Sequence, residues 1–319
     1  MKRVVALTLV CLIFAGCSAP SQPTTAATET TTTAPTTAAK QEITVNSEGI
    51  YEIDGWLFSK LYPMDEASVT KLADKINSIQ SEYLTEENKV FVSLIPDKSY
   101  FSDYDEKIDH PAMEALLEEG LENAEYISID ETLSLEDFYK TDGHWRQENI
   151  IETVNNLGET MGFAVEKSDF TENSITDYEY KGMYVPLYEG EIESEAMIYL
   201  TNGHTENAVV DNFQKKDFTQ VYDMDMLDTP TPYDIFLSGP TPFQVITNPQ
   251  AESDKKLVIF RDSFASSLVP LIIGEYAEIT LIDLRYMASQ LMPQFIEFED
   301  QDVLFLYSAA VANKSILLK

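Results

Sequence analysis

Apolar positions along this chain recur with two periods, and the alternation between them predicts its elements. From 65 to 84, Val69, Leu72, Ala73, Ile76, Ile79 and Tyr83 fall at helical spacing, which predicts a helix with one buried face. Residues 89–95 form a β-branched and aromatic run closed by Pro96-Asp97, the pattern of a buried strand. Pro111 suits the first turn of a second helix carrying Met113, Leu116, Leu117 and Leu121. Tyr126-Ile127-Ser128-Ile129 predicts another strand, and Gly55-Trp56-Leu57-Phe58 an early short one. A further helix carries Ile150, Ile151, Val154, Leu157 and Met161. Near the end the order repeats: strand at 257–260, helix at 264–273, strand at 279–282, helical turns at 287–296 disturbed by Pro293, and a strand at 303–307 that closes the sheet. Strand, helix, strand with short connections predicts an α/β fold with a mostly parallel sheet and flanking helices.

The stretch from about 166 to 250 breaks this rhythm. It is rich in Asp, Glu, Thr, Tyr and Pro, with alternating patches such as Ala196-Met197-Ile198-Tyr199-Leu200. It is expected to be a β-rich insertion between two halves of the core, within one domain over 43–319.

The first 42 residues have a different character. Lys2 and Arg3 precede an apolar run, Val4 to Phe14, that is too short to span a bilayer. It ends in Phe14-Ala15-Gly16-Cys17, which resembles the lipobox of bacterial lipoproteins. That resemblance implies a signal peptide at 1–16, lipidation of Cys17 and an extracytoplasmic, lipid-anchored protein. Residues 17–42, dominated by Thr, Ala and Pro, have too little apolar bulk to offset ordering entropy and are expected to form a disordered tether. Cys11 and Cys17 are the only cysteines, so no disulfide within the mature chain and no cysteine metal site is expected.

Charge excludes one class of partner. With 55 acidic and 21 basic residues the formal net charge is −34, which argues against nucleic acid, since neutralising phosphate needs Lys and Arg. It also disfavours broad docking on anionic lipid, leaving the lipid anchor as the membrane contact.

Candidate chemistry is confined to two segments. The chain has three histidines, at 110, 144 and 204. His110 and His204 read as surface residues. Asp142-Gly143-His144-Trp145 puts a carboxylate two residues from an imidazole, with a glycine between to let the backbone turn sharply. Asp142 could then reach Nδ1 and orient the ring, and Trp145 needs burial. Ser263 follows the strand at 257–260 and precedes a helix, a position that exposes its hydroxyl beside backbone N–H groups. Together Asp142, His144 and Ser263 are the parts of an acyl-transfer triad. The plainer reading is that Asp142, Asp262 or Ser263 only caps a helix. No second histidine sits at ligand spacing, so no metal and no cofactor are expected.

These motifs resemble, in order, those of the DHHW protein family, relatives of alginate O-acetylation proteins with SGNH-hydrolase-like domains. Thr141-Asp142-Gly143-His144-Trp145 resembles the DHHW motif itself. Gly55-Trp56-Leu57-Phe58, Ile95-Pro96-Asp97-Lys98, Arg261-Asp262-Ser263-Phe264 and Asp283-Leu284-Arg285-Tyr286 resemble four further blocks, and the resemblance spans about 45–308. It implies an SGNH-hydrolase-like sheet, Ser263 as nucleophile, His144 as base and Asp142 as its orienter. Gly143 stands where the motif has its first histidine. Leu237-Ser238-Gly239-Pro240 stands where relatives have Gly-Gly-Asn, so Gly239, Ser263 N–H and Arg285 are the candidates for binding an oxyanion, and Tyr286 for contacting substrate. Lys98 is expected to be structural or peripheral.

The resemblance implies transfer of an O-acetyl group to a cell-envelope or exopolysaccharide glycan, beside a membrane-bound O-acyltransferase as partner. An acetylesterase on the same glycan class and a non-catalytic glycan-binding lipoprotein are the alternatives.

Overall fold

The computed structural model describes residues 43–319. The expected leader, the Cys17 lipidation site and the tether lie outside the described residues. The chain begins with a hairpin, β1 (Ile50–Ile53) and β2 (Trp56–Ser59), followed by α1 (Glu66–Tyr83), β3 (Val90–Ile95), α2 (His110–Gly120) and β4 (Glu125–Tyr126). Then come α3 (Ile151–Met161), a second hairpin of β5 (Thr171–Ser174) and β6 (Ile198–Thr201), α4 (Gly203–Asn207), β7 (Val209–Asn212) and β8 (Phe243–Thr247). The last part holds β9 (Lys256–Arg261), α5 (Ala265–Ile272), β10 (Glu278–Ile282), β11 (Asp302–Ser308) and α6 (Ala309–Ala312).

Local chemistry sets the helix ends. The Asp65 side chain accepts from Ser68 N–H at the start of α1, and the Asp109 side chain accepts from Ala112 N–H at the start of α2, where Pro111 needs no donor. Gly162 ends α3 in the left-handed region, at φ 82°.

One seven-stranded sheet runs in the order β4-β3-β11-β9-β10-β8-β7. The strands from β4 to β10 are parallel, as the alternation predicts. The final strand does not lie at an edge. β11 sits between β3 and β9, pairing Val303 with both Val90 and Val258. A strand apolar on both faces needs cover on both, which only the middle of a layered sheet supplies. Leu304 and Leu306 face a core shared with Val154 and Leu157 of α3 and Leu268 of α5. Val303, Phe305 and Tyr307 face the opposite core, with Leu72 and Ile76 of α1 and Met113 and Leu117 of α2.

The segment from 166 to 250 differs from a β-rich insertion. Most of it is loop and short 3₁₀ turn around the β5–β6 hairpin. Two of its strands belong to the main sheet: β8 lies antiparallel to β10, and β7 lies outside β8. The remainder packs an aromatic cluster of Tyr139, Tyr180, Tyr233 and Phe236 with Met197 and Ile235. The strand expected at 126–129 shortens to two residues. Ile127 N–H still reaches Val92 O at 2.8 Å, but the edge position offers one neighbour and the chain turns away. His110 is not a surface residue. It is 1% exposed, its ring packed against Tyr100 with Glu114 Oε1 3.4 Å from Nε2. Lying in the first turn of α2 places it under the loop that follows β3.

Central burial of β11 has a measurable consequence. Phe305 is fully buried and stacks on Phe260 at 4.4 Å, so Phe305→Ala should cost about 3–5 kcal/mol in urea unfolding. Ile316→Ala, at a side chain 77% exposed, should stay within ~0.5 kcal/mol. Equal losses at the two positions would contradict the strand order.

Candidate active site

All parallel strands point their carboxyl ends to one side of the sheet, where open α/β folds bind ligands. There a cleft of about 280 Å³ is lined by Asp97 after β3, Ser263 after β9, Arg285 after β10 and Ser308 at the end of β11, with Gly143 and His144 from the loop before α3. A larger hollow of about 590 Å³ lies elsewhere, around Phe170, half-buried His204 and Glu275, and holds none of the three predicted triad residues.

The two predicted segments converge in the smaller cleft. His144 Nε2 lies 2.7 Å from Ser263 Oγ, and His144 Nδ1 lies 2.6 Å from Asp142 Oδ1. Asp142 is 2% exposed. Its Oδ1 also accepts His144 N–H at 3.0 Å, while Oδ2 accepts Tyr180 Oη–H at 2.8 Å and Met183 N–H at 2.9 Å. Burial alone would push this carboxyl up. The charge and hydrogen bonds of His144, with the N–H groups of Met183 and His144, outweigh burial and hold it well below the usual carboxylate range. A carboxylate kept ionised can only accept, so Nδ1 must carry the proton. In the neutral ring Nε2 is then bare and faces the serine hydroxyl as an acceptor.

The His144 ring is held on both sides. Tyr233 stacks on it with centroids 3.9 Å apart and planes 10° apart, and Phe264 lies 4.9 Å away. Tyr233 Oη is hydrogen-bonded to Ser267 Oγ at 2.7 Å. Trp145, fully buried, donates Nε1–H to Ser267 Oγ at 2.9 Å and Phe264 O at 3.2 Å. Gln147 donates to Ser267 O at 2.7 Å. These bonds tie the 144–147 loop to the first turn of α5, next to Ser263.

The loop is anchored from below as well. Lys98, 1% exposed, donates from Nζ to the carbonyls of Tyr139 at 2.8 Å, Lys140 at 3.1 Å and Asp142 at 2.6 Å. Burial pushes its ammonium down to about 7, opposed by Asp142, Asp97 and Glu195. Its three N–H groups meet three carbonyls, so Lys98 is neither peripheral nor open to the cleft. Glu195 accepts the N–H groups of Lys140 and Thr141, each at 2.9 Å, and Arg146 Nη2 at 2.5 Å.

Glycine at 143 answers to space, not to a sharp turn. Its φ is not in the left-handed region, but a Cβ there would lie 2.5 Å from Tyr184 Oη. Gly182 is similar: a Cβ would lie 2.4 Å from Asp142 Cβ, so its absence lets Met183 N–H reach the carboxylate.

The expected oxyanion donors separate. Ser263 N–H has no partner among the described residues, and Phe264 N–H is used by Asp262 Oδ1 at 3.1 Å. Gly239 does not supply a donor: its N–H bonds Phe236 O at 3.1 Å and its carbonyl accepts from Arg261. The reason is the backbone. Leu237, Ser238 and Gly239 all have positive φ (56°, 57° and 78°), and that tight reversal turns the N–H inward. Arg285 lines the cleft. Burial works against its charge, but hydrogen bonds from Nε and Nη2 to Asp283 raise its pKa, and Nη1 has no partner among the described residues. Tyr286 does not line the cleft; it is 51% exposed and lies against the Arg285 guanidinium. Among the described residues no group of three or more His, Cys, Asp or Glu could hold a metal ion.

Tyr180, Met183, Tyr184 and Tyr233 were not singled out from the sequence. All four lie in the irregular segment, where no periodicity marks a position, and only the Lys-Gly-Met-Tyr run after Tyr180 hints at a close backbone approach.

Tyr180→Phe should therefore remove one of four donors from a buried carboxylate and cost about 1–3 kcal/mol of stability. Because Asp142 is depressed in the folded state, its contribution is complete above the ordinary carboxyl pKa and is lost as pH falls through the folded value. Comparing urea curves of wild type and Tyr180→Phe at neutral and acid pH should show the difference shrinking in acid. A constant difference would mean that the phenol does not stabilise the ionised form.

No family model matches the chain, and no curated protein matches its sequence. Solved structures do match. A DHHW family protein from Eubacterium siraeum superposes with a TM-score of 0.69 at 20% identity, over 86% of this chain and 98% of that one. Bacillus cereus PatB1 gives 0.65 at 16% identity, over 82% of this chain and 96% of its own. The O-acetyltransferase domain of Pseudomonas putida AlgJ gives 0.51 at 9% identity, over 83% and 92%. At these identities the likeness establishes a shared α/β fold.

Proposed function

We propose that this protein transfers an O-acetyl group to a hydroxyl of an extracytoplasmic glycan, with Ser263 as nucleophile, His144 as general base and Asp142 as the residue that orients and charges the imidazole. The observation that carries this reading is the continuous relay from Asp142 Oδ1 through both ring nitrogens to Ser263 Oγ, at 2.6 Å and 2.7 Å, at the carboxyl end of a parallel strand. The fold shared with the O-acetyltransferase domain of AlgJ supports the choice of an acyl group.

In the acylation step the Ser263 hydroxyl gives its proton to Nε2 as Oγ attacks the acetyl carbonyl. The imidazolium that forms is stabilised by Asp142. Negative charge on the carbonyl oxygen is met by Ser263 N–H and by the free Nη1 of Arg285. Collapse returns the proton to the leaving oxygen and leaves acetyl-Ser263. In the second half His144 takes a proton from a glycan hydroxyl, which attacks the acyl carbon; collapse breaks the bond to Ser263 Oγ, and the imidazolium returns the proton to that oxygen. Water in that position would make the same enzyme an esterase. The inward Gly239 N–H and the missing donor at Pro240 favour a second reading, a glycan-binding lipoprotein, which requires Ser263 to stay unacylated.

Lipidation at Cys17 and a neighbouring membrane-bound O-acyltransferase complete the proposal. The lipobox-like run that ends at Cys17 supports a lipid as the anchor, and the partner would supply the acetyl groups.

Wild-type protein incubated with a chromogenic acetyl ester should release the chromophore and accumulate an acetyl adduct on the Ser263 peptide. Ser263→Ala should lose both, with kcat/KM down by about 10³-fold or more, and His144→Ala should match it because the two act as one unit. Turnover persisting in Ser263→Ala would remove the triad from the chemistry.

A further inference from the structure

The cleft also holds polar side chains that the relay does not use. Asp97 leaves β3 as Ser263 leaves β9, with only β11 between them. Two strand spacings put the two residues roughly 10 Å apart. A single sugar ring with a hydrogen bond on either side fills that gap. Asp97 is only half-buried, and its carboxylate is held by Ser99, whose N–H donates to Oδ1 at 2.9 Å. Among the described residues no cation lies within ion-pair distance of it: the nearby Lys98 ammonium is committed to three carbonyls. A carboxylate has about four acceptor positions, so Asp97 retains capacity toward the cleft. Burial pushes its pKa up, the sign of a carboxylate poorly served by solvent.

Two other side chains that line the cleft, among apolar residues such as Leu61 and Met183, are donors. Tyr184 Oη, which fills the space that Gly143 vacates, makes no hydrogen bond among the described residues. Lys314, after α6, has an exposed side chain with no ion pair among the described residues, despite a net charge of −34. A sugar hydroxyl both donates and accepts, so it needs the two kinds of partner side by side. An extended acyl chain needs neither, and an acceptor bearing its own carboxylate would be repelled by Asp97.

We infer that Asp97, Tyr184 and Lys314 form the acceptor subsite, where Asp97 takes hydrogen bonds from neighbouring hydroxyls of an uncharged sugar ring and presents a third hydroxyl to His144. The acceptor role rests on the acyl-transfer reading; the sugar contact itself does not.

Asp97→Ser and Asp97→Asn separate binding from folding, because Ser and Asn can both keep the Ser99 N–H capped. Two measurements test the inference with neutral xylo-, manno- and chito-oligosaccharides and an oligouronate as probes. The first is the partition of the acetyl group between oligosaccharide and water, which cancels any change in acylation rate. The second is retention on the immobilised oligosaccharides in a Ser263→Ala background. At least one neutral oligosaccharide should be acetylated and retained by the parent proteins. Asp97→Ser should lower both partition and retention tenfold or more, with Asp97→Asn intermediate and Lys314→Gln weaker by a few-fold. Unchanged partition and retention in Asp97→Ser, no neutral oligosaccharide retained, or tighter retention of the oligouronate would overturn the subsite. Absence of acetyl-Ser263 in wild type together with Asp97-dependent retention would instead defeat the acyl-transfer reading and leave the sugar site standing.

Discussion

A carboxylate taken out of water must be surrounded by donors, and Asp142 is the point at which this structure meets that demand. Among the described residues no lysine or arginine pairs with it. Its two oxygens take hydrogen bonds from the His144 ring and N–H, from the Tyr180 phenol and from Met183 N–H. Those donors come from separate stretches of chain, so the carboxylate can stay ionised only if the irregular segment after α3 packs against the loop before it. Gly182 allows that approach, and the aromatic cluster around Tyr180 and Tyr233 holds it. The tautomer of His144, and with it the acceptor facing Ser263, follows from this one burial.

The second constraint is mechanical. His144 and Ser263 lie 119 positions apart, on a loop and on a strand-to-helix turn. Trp145 and Gln147 bridge the two by binding Ser267 and Phe264, while Lys98 binds the carbonyls behind Asp142. Rigid side chains and buried bonds on both sides limit the travel of the imidazole, which is what a proton relay needs. The cost is a buried ammonium and a buried arginine, Arg261, both stabilised by oxygens rather than by direct ion pairs.

Departures from the DHHW pattern acquire reasons in three dimensions. Position 143 carries glycine because Tyr184 occupies the room a side chain would take. The turn at 237–239 is left-handed throughout even though two of its residues are not glycine, and its geometry turns the Gly239 N–H away from the cleft. The shared fold with proteins at 20% identity or less shows that the sheet and its strand ends tolerate such exchanges. What must be kept is the register that brings the ends of β3, β9, β10 and β11 to one cleft.

Much of this was legible along the chain, because it is local. Helical spacing marked α1 and α3, Pro111 suited the first turn of α2, and the buried strands declared themselves as unbroken apolar runs. The Asp-Gly-His spacing and the serine after a strand were visible for the same reason: each is a short-range pattern. Long-range order was not. Nothing in Val303–Tyr307 says that it lies between β3 and β9, nor that 209–212 and 243–247 extend the main sheet, since hydrogen-bonded neighbours are chosen by packing across the whole domain. His110 looked like a surface residue because charge alone says nothing about what folds over it. The sequence by itself determined the elements and the residue types able to move a proton. Tertiary structure decided which of them meet, which N–H groups remain free and which side chains surround Asp142, because burial and contact are properties of the assembled core and not of any one segment.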